Sequence, residues 1–461
     1  MKHINKNLLN ILFIGLSMLS CRKFVDIAPS PQLIATNAIF SDDNTAISAV
    51  DGVYASMRAG SPSFENGAIS IYCGLSADEI VNSSASSAYD PFFKNAIPSN
   101  NTTILATFWA GPYNTIYRAN AILEGLNKST ALSDSVKKQL TGEMRVVRAL
   151  NYFYLTSLYG DVPLITSTDY QQNATVSRTS SSNIYRQMVT DLTDAESLLS
   201  NNYPGTGKAR PNKQTAAALL ARVYLYGKDW VNAGAQSARV INSGVYNIVP
   251  DLNSVFTEDS NETIWEIASP GEAGNTAEGT IFIPSSSRVK PTFTISPYLL
   301  KAFEPGDLRA ANWLNSNTVS GTTFYYPYKY QNRALSPVTE YDIVLRLAEQ
   351  YLIRAEARAQ QSATNIPDAV NDLNVIRSRA GLAPLSGALS LEQCLAAVAQ
   401  ERRVELFAEW GQRWFDLKRT ATIDAVLGQE KTGWQPFNAL YPIPYKQIIA
   451  NPALTQNPGY N

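Results

Sequence analysis

Histidine is almost absent from this chain. The only one among the 461 residues is His3, which lies in a short N-terminal segment with the pattern of an export signal. Removal of that segment would leave a protein without an imidazole group. Such a protein cannot use Ser-His or Cys-His nucleophile pairs or histidine metal ligands, and its acid–base chemistry is limited to carboxylates, lysine and tyrosine.

Charged side chains are also scarce, and neither sign dominates. They make up 17% of the chain, with 38 lysines and arginines against 39 aspartates and glutamates. A protein that binds nucleic acid carries a basic patch for the phosphate backbone, and this sequence has none, so we expect no nucleic-acid partner. The abundance of Asn, Ser, Thr and Tyr instead favours a neutral, hydroxyl-rich ligand.

The N-terminal segment predicts a lipid anchor. Lys2 and Lys6 precede an apolar run over 8–19, which is shorter than the about 20 residues that a membrane-spanning helix needs. Ser17 to Cys21 then resemble a lipobox, in which a signal peptidase cuts before the cysteine and the cysteine is acylated. We therefore predict a lipoprotein signal peptide over 1–20 and lipidation of Cys21. The alternative is an ordinary secretory signal followed by a chance cysteine.

The other two cysteines, Cys73 and Cys394, lie far apart and lack the spacing of a metal site. They could form a disulfide in an oxidising compartment. A chain of this size does not need one, so two buried thiols are favoured. We expect neither a metal nor a cofactor.

Apolar residues at helical spacing predict a mainly α-helical fold. Two parts of the chain, 215–244 and 345–381, share a tetratricopeptide-like pattern in which small residues let paired helices approach closely. Long aperiodic stretches separate the helices, and loops of such length usually bind or pack against something. The helices are expected over 45–57, 107–126, 133–158, 184–199, 213–226, 230–242, 341–361, 368–380 and 390–417.

Six segments occur in the order found in one known family. They are CRKFVDIAPSPQ (21–32), WAGPYNTIYRANAIL (109–123), RALNYFYLTSLYGDVPLI (148–165), LLARVYLYGKDW (219–230), ERRVELFAEWGQRWFDLKR (401–419) and YPIPYKQIIANPALTQNPGY (441–460). Together they resemble the SusD/RagB family of outer-membrane lipoproteins of Bacteroidetes. The resemblance implies four tetratricopeptide-like helix pairs in a superhelical scaffold, a loop-rich ligand-binding subdomain and minor β-hairpins. It also divides the chain into an N-terminal region, 21–225, and a C-terminal region, 226–461, which pack as one unit.

The same resemblance implies a function. A protein of this kind is a lipid-anchored, cell-surface binding protein of the outer membrane, and not an enzyme. It captures oligosaccharides and delivers them to a SusC-like TonB-dependent transporter. Two alternatives remain at this point: capture of peptides, as in some relatives, and glycan hydrolysis by loop carboxylates such as Asp78 with Asp307.

Aromatic residues in the aperiodic stretches are the candidates for ligand contact. Neutral sugars need flat apolar rings to stack on, with amide and guanidinium donors for their hydroxyl groups. The alternative is that many of these rings are core, or that 324–330 forms a hairpin. The predicted ligand-binding residues are Tyr89, Phe92, Asn95, Arg309, Trp313, Tyr325, Tyr326 and Tyr328.

Carboxylates elsewhere are given structural roles. Glu401, Glu405 and Glu409 are spaced four residues apart and would share one helical face, where they cannot flank a sugar from two sides. We therefore expect an ion-pair network with neighbouring arginines. Asp78 and Glu79 could bind a cation together with Asp90, although the spacing of a calcium loop is missing.

Overall fold

The computed structural model describes residues 38–84, 86–258, 260–268 and 274–460. The predicted signal peptide and Cys21 lie outside these residues. No helix in the described ranges is long and apolar enough to cross a membrane.

Four pairs of helices form the scaffold. The second helix of each pair packs on the first helix of the next, so α2 contacts α3, α4 contacts α5 and α6 contacts α7. This arrangement confirms the predicted mainly α-helical fold of tetratricopeptide-like pairs. The helices are α1 (Asp43–Arg58), α2 (Gly111–Lys128), α3 (Asp134–Tyr159), α4 (Ser181–Leu198), α5 (Lys213–Tyr226), α6 (Trp230–Ile241), α7 (Leu347–Gln361) and α8 (Ile366–Arg379).

Local sequence signals explain where these helices begin and how they pair. The Asp42 side chain accepts the backbone N–H groups of Asn44 and Thr45 at 2.9 and 3.2 Å, which caps α1. The small residues Ala221 of α5 and Ala233 of α6 are fully buried in one cluster with apolar residues of α7. Small side chains at these points let the three helix backbones approach closely.

Three helices of at least eight residues follow the last pair. They are α9 (Leu391–Glu405), which packs on α7 and α8, α10 (Gln412–Arg419) and α11 (Ile423–Glu430). Ser390 and Gln393 form the predicted capping box at the start of α9. The prediction of one helix from 390 to 417 is wrong, because Ala408, Trp410 and Gly411 adopt left-handed φ angles of 52°, 45° and 66°.

The predicted helix over 341–361 begins later than expected. Its first residues form the strand β8 (Asp342–Arg346), which pairs with β4 (Thr263–Ile267) in an antiparallel sheet. Both strands are buried along their whole length, which explains why apolar and polar residues do not alternate along them. The indole N–H of Trp410 donates to the carbonyl oxygen of Ile343 at 2.9 Å, which ties the break between α9 and α10 to this strand.

Two long insertions carry most of the remaining elements. One lies between α1 and α2, and the other between α6 and α7. The strand β1 (Ile80–Asn82) of the first pairs antiparallel with β5 (Phe293–Ile295) of the second. The other antiparallel pairs are β2 (Val162–Pro163) with β3 (Arg178–Thr179) and β6 (Leu314–Val319) with β7 (Thr322–Pro327). Short helices span Ile69–Cys73, Gly74–Ser76, Asp90–Phe93, Ile104–Ala110, Tyr170–Asn173, Leu252–Ser254, Ala277–Phe282, Pro297–Leu300, Leu308–Trp313, Ala363–Asn365, Pro436–Ala439 and Tyr445–Ala450.

Cys73 and Cys394 are both buried as free thiols, as the sequence favoured. Burial raises the pKa of the Cys73 thiol to about 12, so it stays protonated and unreactive at neutral pH.

Candidate functional site

The sheet of β1 and β5 brings the two insertions together at the surface. Beside it lies a cavity of about 290 Å³, lined by residues of both insertions. Tyr89 comes from the first, immediately before the helix Asp90–Phe93, and Phe293 comes from β5 of the second. Ser285, Lys290 and Arg333 complete the polar part of the wall.

Tyr89 forms the aromatic part of this cavity. Its ring packs edge-on against Phe293, with 4.8 Å between the ring centroids, and lies 5.6 Å from the ring of Tyr72. Partial burial raises the pKa of the Tyr89 phenol, which keeps it a neutral hydrogen-bond donor. An aromatic ring that lines a cavity and is packed against two other rings is suited to contact a sugar.

Two cations face the same cavity. The Arg333 Nε–H donates to the carbonyl oxygen of Ile283 at 3.0 Å, which fixes the guanidinium and leaves its other N–H groups available. The Lys290 Nζ lies 4.9 Å from the centroid of the Phe324 ring. No salt bridge pairs either cation with a carboxylate among the described residues. Lys290 is absent from our sequence prediction, and its only signal is its place in a polar, aperiodic stretch.

The hairpin of β6 and β7 confirms that 324–330 is partly strand. Tyr325 is 41% exposed, and Tyr328 is half-buried, so both remain candidates for ligand contact. Tyr326 points inward and is buried, with its ring 6.1 Å from that of Tyr328. The prediction of Tyr326 as a contact residue is wrong, because neighbouring residues of a strand point to opposite faces.

Phe92 and Asn95 are buried as well. The Phe92 ring lies in an aromatic cluster, with centroids 4.5 Å from Tyr72, 5.9 Å from Phe108 and 5.8 Å from Tyr441. The prediction that Phe92 contacts ligand is therefore wrong, since this ring supports the wall behind Tyr89. Asn95 donates to the carbonyl oxygen of Ser76 at 3.0 Å and does not line the Tyr89 cavity.

Arg309 and Trp313 are fully buried, so the prediction of both as ligand-binding residues is wrong. The Trp313 indole N–H donates to the carbonyl oxygen of Leu252 at 2.9 Å, and its ring packs edge-on against Phe256. The Arg309 guanidinium forms ion pairs with Asp307 at 2.8 Å and with Glu401 at 3.0 Å. Both side chains belong to the interior under the second insertion.

Glu401, Glu405 and Glu409 form the expected ion-pair network. Arg346 pairs with Glu405 at 2.6 Å and with Glu409 at 2.7 Å, and Arg309 reaches Glu405 at 3.1 Å. Burial by itself raises the pKa of Glu405, but the guanidinium groups of Arg379, Arg346 and Arg309 hold that pKa well below its usual range. Glu405 at the end of α9 and Glu409 just beyond it therefore bind Arg346 of β8, while Glu401 binds Arg309.

Asp78 is also committed to arginines. Its two carboxylate oxygens accept from Arg413 at 2.7 and 2.8 Å, and Arg403 forms a further ion pair. Burial opposes ionisation, yet these arginines lower the pKa of Asp78. The lowered pKa favours the ionised carboxylate, so we assign Asp78 a structural role beside these arginines. Asp90 pairs separately with Lys94 at 2.9 Å, so the suggested cation site with Asp78 is wrong.

Comparisons with known proteins agree with this architecture. Residues 43–225 match a family described as starch-binding associating with outer membrane, and residues 308–460 match the SusD family. SusD-like protein P2 of Formosa agariphila is 26% identical over 522 aligned residues, covering 99% of this chain and 100% of the relative.

Two solved structures share the fold. A laminarin-binding SusD-like protein has a TM-score of 0.77 at 25% identity, with 91% of this chain and 100% of that chain covered. Surface glycan-binding protein A of Bacteroides thetaiotaomicron, in complex with laminarihexaose, has a TM-score of 0.76 at 20% identity, with 90% and 99% covered. The chain belongs to the SusD/RagB family.

Proposed function

We propose that this protein captures oligosaccharides at the cell surface through the cavity beside Tyr89. The observation that carries the proposal is an aromatic ring and two cations without carboxylate partners among the described residues, all lining one cavity. Tyr89 supplies an apolar face, while Lys290, Arg333 and Ser285 supply donors for hydroxyl groups. One structurally similar protein is described as laminarin-binding and another is a glycan-binding protein in complex with laminarihexaose, which supports a glycan as the ligand.

The cavity sets the expected strength of binding. At about 290 Å³ it lies at the lower end of ligand-site volumes and buries little apolar surface. Because association costs translational and rotational freedom, we expect dissociation constants between about micromolar and millimolar. Such affinity suits a protein that must release its ligand.

We also propose a partner protein that receives the captured glycan. We place the protein on the outer membrane, facing outward, where it passes the glycan to a SusC-like TonB-dependent transporter. The protein acts by binding and release and carries out no chemical step on the glycan.

Replacement of Tyr89 by alanine tests the site. Loss of the ring should weaken binding at least tenfold, or about 1.4 kcal/mol, measured by isothermal titration with laminarihexaose and other neutral hexasaccharides. Tyr117→Ala is the matched control, since that tyrosine is 52% exposed on α2 and does not line the cavity. Equal affinities of wild type and Tyr89→Ala would place the glycan elsewhere. Binding of peptides but no glycan would reject the proposal.

Lipidation of Cys21 can be tested separately. We expect the wild-type protein to partition into the detergent phase in a Triton X-114 extraction, because acyl chains supply the membrane affinity. Cys21→Ser removes the acylated sulfur and should shift the protein to the aqueous phase. Detergent partitioning that is the same for both proteins would contradict the lipid anchor.

A further inference from the structure

A second depression lies at the other end of the segment that carries Tyr89. It is a groove of about 660 Å³ between residues 95–100 and the C-terminal segment 433–460. The backbone N–H of Tyr445 donates to the carbonyl oxygen of Ser99 at 2.9 Å, which joins the two walls. Asn95 is the one predicted ligand-binding residue that lines this groove.

Aromatic faces are exposed along this groove. Tyr445 is 51% exposed and Phe437 is 38% exposed. The Phe437 ring is held in place by Tyr460, which packs against it at 86° with 5.1 Å between centroids. Gly459 has φ +86°, and a Cβ there would lie 2.3 Å from Cγ of Phe437, so only glycine lets the ring sit so close to the chain. The Phe437 ring is therefore held rigidly.

Asn95 supplies a buried acceptor at the groove. Its Nδ2 donates to Ser76, which directs the amide nitrogen inward, while its Oδ1 has no hydrogen-bond partner among the described residues. The side chain is 3% exposed and lines the groove. A buried acceptor without a donor is costly, and this one belongs to a residue in the wall of the groove. Asn95 has φ 52°, a left-handed conformation that asparagine tolerates better than most residues.

The chemistry of the groove differs from that of the Tyr89 cavity. Its lining, as far as the structure describes it, contains no Asp, Glu, Lys, Arg or His, and amides come from Asn95, Asn100, Gln435 and Asn438. Exposed ring faces combined with amides and without charge fit an uncharged, hydroxyl-rich ligand better than an ionic one. We propose that this groove is a second saccharide site, which takes uncharged sugar residues. The inference rests on the proposed function in taking a glycan as ligand.

The two sites are close enough to act on one glycan. Tyr89 and Asn95 are six residues apart, so their Cα atoms are separated by at most about 20 Å. A polysaccharide that occupies both sites gains avidity over one that occupies either alone. Loss of either site should then weaken polysaccharide binding, and loss of both should abolish it.

Affinity electrophoresis of the full chain provides the test. Native gels would contain a neutral glucan, mannan, galactan or xylan, and retardation would be compared for Tyr445→Ala, Phe437→Ala, Tyr89→Ala and the Tyr89→Ala/Tyr445→Ala double variant. We expect each groove variant to bind at least tenfold more weakly and the double variant to migrate as in a gel without polysaccharide. Ile449→Ala is the matched control, because Ile449 is 63% exposed on the same short helix and does not line the groove. Thermal melts check that each variant is folded.

The outcomes separate the two proposals. Wild-type retardation of both groove variants, with loss in Tyr89→Ala, would overturn the second site and leave the first. Loss in the groove variants with wild-type behaviour of Tyr89→Ala would support the groove and reject the cavity. Equal weakening by Ile449→Ala would indicate a broader protein-contact face and overturn the saccharide site. A wild-type protein that none of the four polysaccharides retards would overturn the neutral-sugar inference.

Discussion

Replacement of Glu405 by glutamine is expected to lower the free energy of unfolding by about 3–5 kcal/mol at neutral pH. Glu405 is fully buried and forms ion pairs with Arg309, Arg346 and Arg379. Glutamine keeps the shape of the side chain but leaves the arginines with less compensating charge in a region without solvent. Removing one partner of a buried ionic network is costly for this reason, even where the intact network contributes little net stability.

The effect should depend on pH in a defined direction. The arginines depress the folded-state pKa of Glu405 below the value of about 4.3 expected for an unfolded chain. The stabilisation is therefore complete above about pH 4.3 and is lost as the pH falls below that value toward the folded-state pKa. The difference between wild type and Glu405→Gln, measured by urea unfolding, should be largest at pH 7 and shrink at pH 3.

Glu392→Gln is the control for this measurement. Glu392 lies in the first turn of the same helix, is exposed and has no ion pair among the described residues, so its replacement should cost less than about 1 kcal/mol. Equal stability of Glu405→Gln and Glu392→Gln at pH 7 would contradict a structural role for the network.

The helical scaffold could be predicted from sequence because its signals are local. Ser133 caps α3 and Asn212 caps α5 by accepting the backbone N–H three residues ahead, within the same stretch of sequence that sets the helix periodicity. The alanines of α5 and α6 likewise predict close packing of the helix pairs from the local sequence alone. No distant residue has to be known for these features.

The break between α9 and α10 could not be predicted, because its cause is distant in sequence. Trp410 leaves the helical path to stack on Tyr154, with centroids 5.3 Å apart, and to reach β8. Gly411 then passes so close to Cys73 that a Cβ would lie 2.6 Å from the Cys73 Cβ. Apolar residues recur at helical spacing in both helices and in the turn between them, so the sequence pattern over 390–417 does not show the break.

Contacts that are distant in sequence also limit what can be predicted of the candidate site. Tyr89 and Tyr325 are at least partly exposed and stay candidates for ligand contact, but an aperiodic polar stretch does not show which of its side chains turn inward. The charge partners Glu401 and Glu405 of Arg309 lie 92 and 96 residues further along the chain. The sequence therefore does not show that the fold surrounds the Arg309 guanidinium with carboxylates.

Replacement of Trp313 by alanine is expected to lower the free energy of unfolding by about 3–5 kcal/mol and to leave glycan affinity unchanged below the melting transition. The ring has no exposed surface, and the ammonium group of Lys329 lies 4.6 Å from its centroid. Removal would open a cavity, delete the hydrogen bond to Leu252 and take away the aromatic face beside a buried cation. Trp313→Phe, which keeps most of the packing, should lose clearly less stability.

Tyr325→Ala is the comparison variant with an exposed ring. Because that ring is exposed on the hairpin, its removal should change the free energy of unfolding by less than about 1 kcal/mol. Denaturant unfolding and isothermal titration with the same hexasaccharides would be carried out on all three variants. If Trp313→Ala unfolded like the wild type but bound glycan more weakly, the ring would have to reach the ligand face in solution, and the assignment of Trp313 to the interior would be wrong.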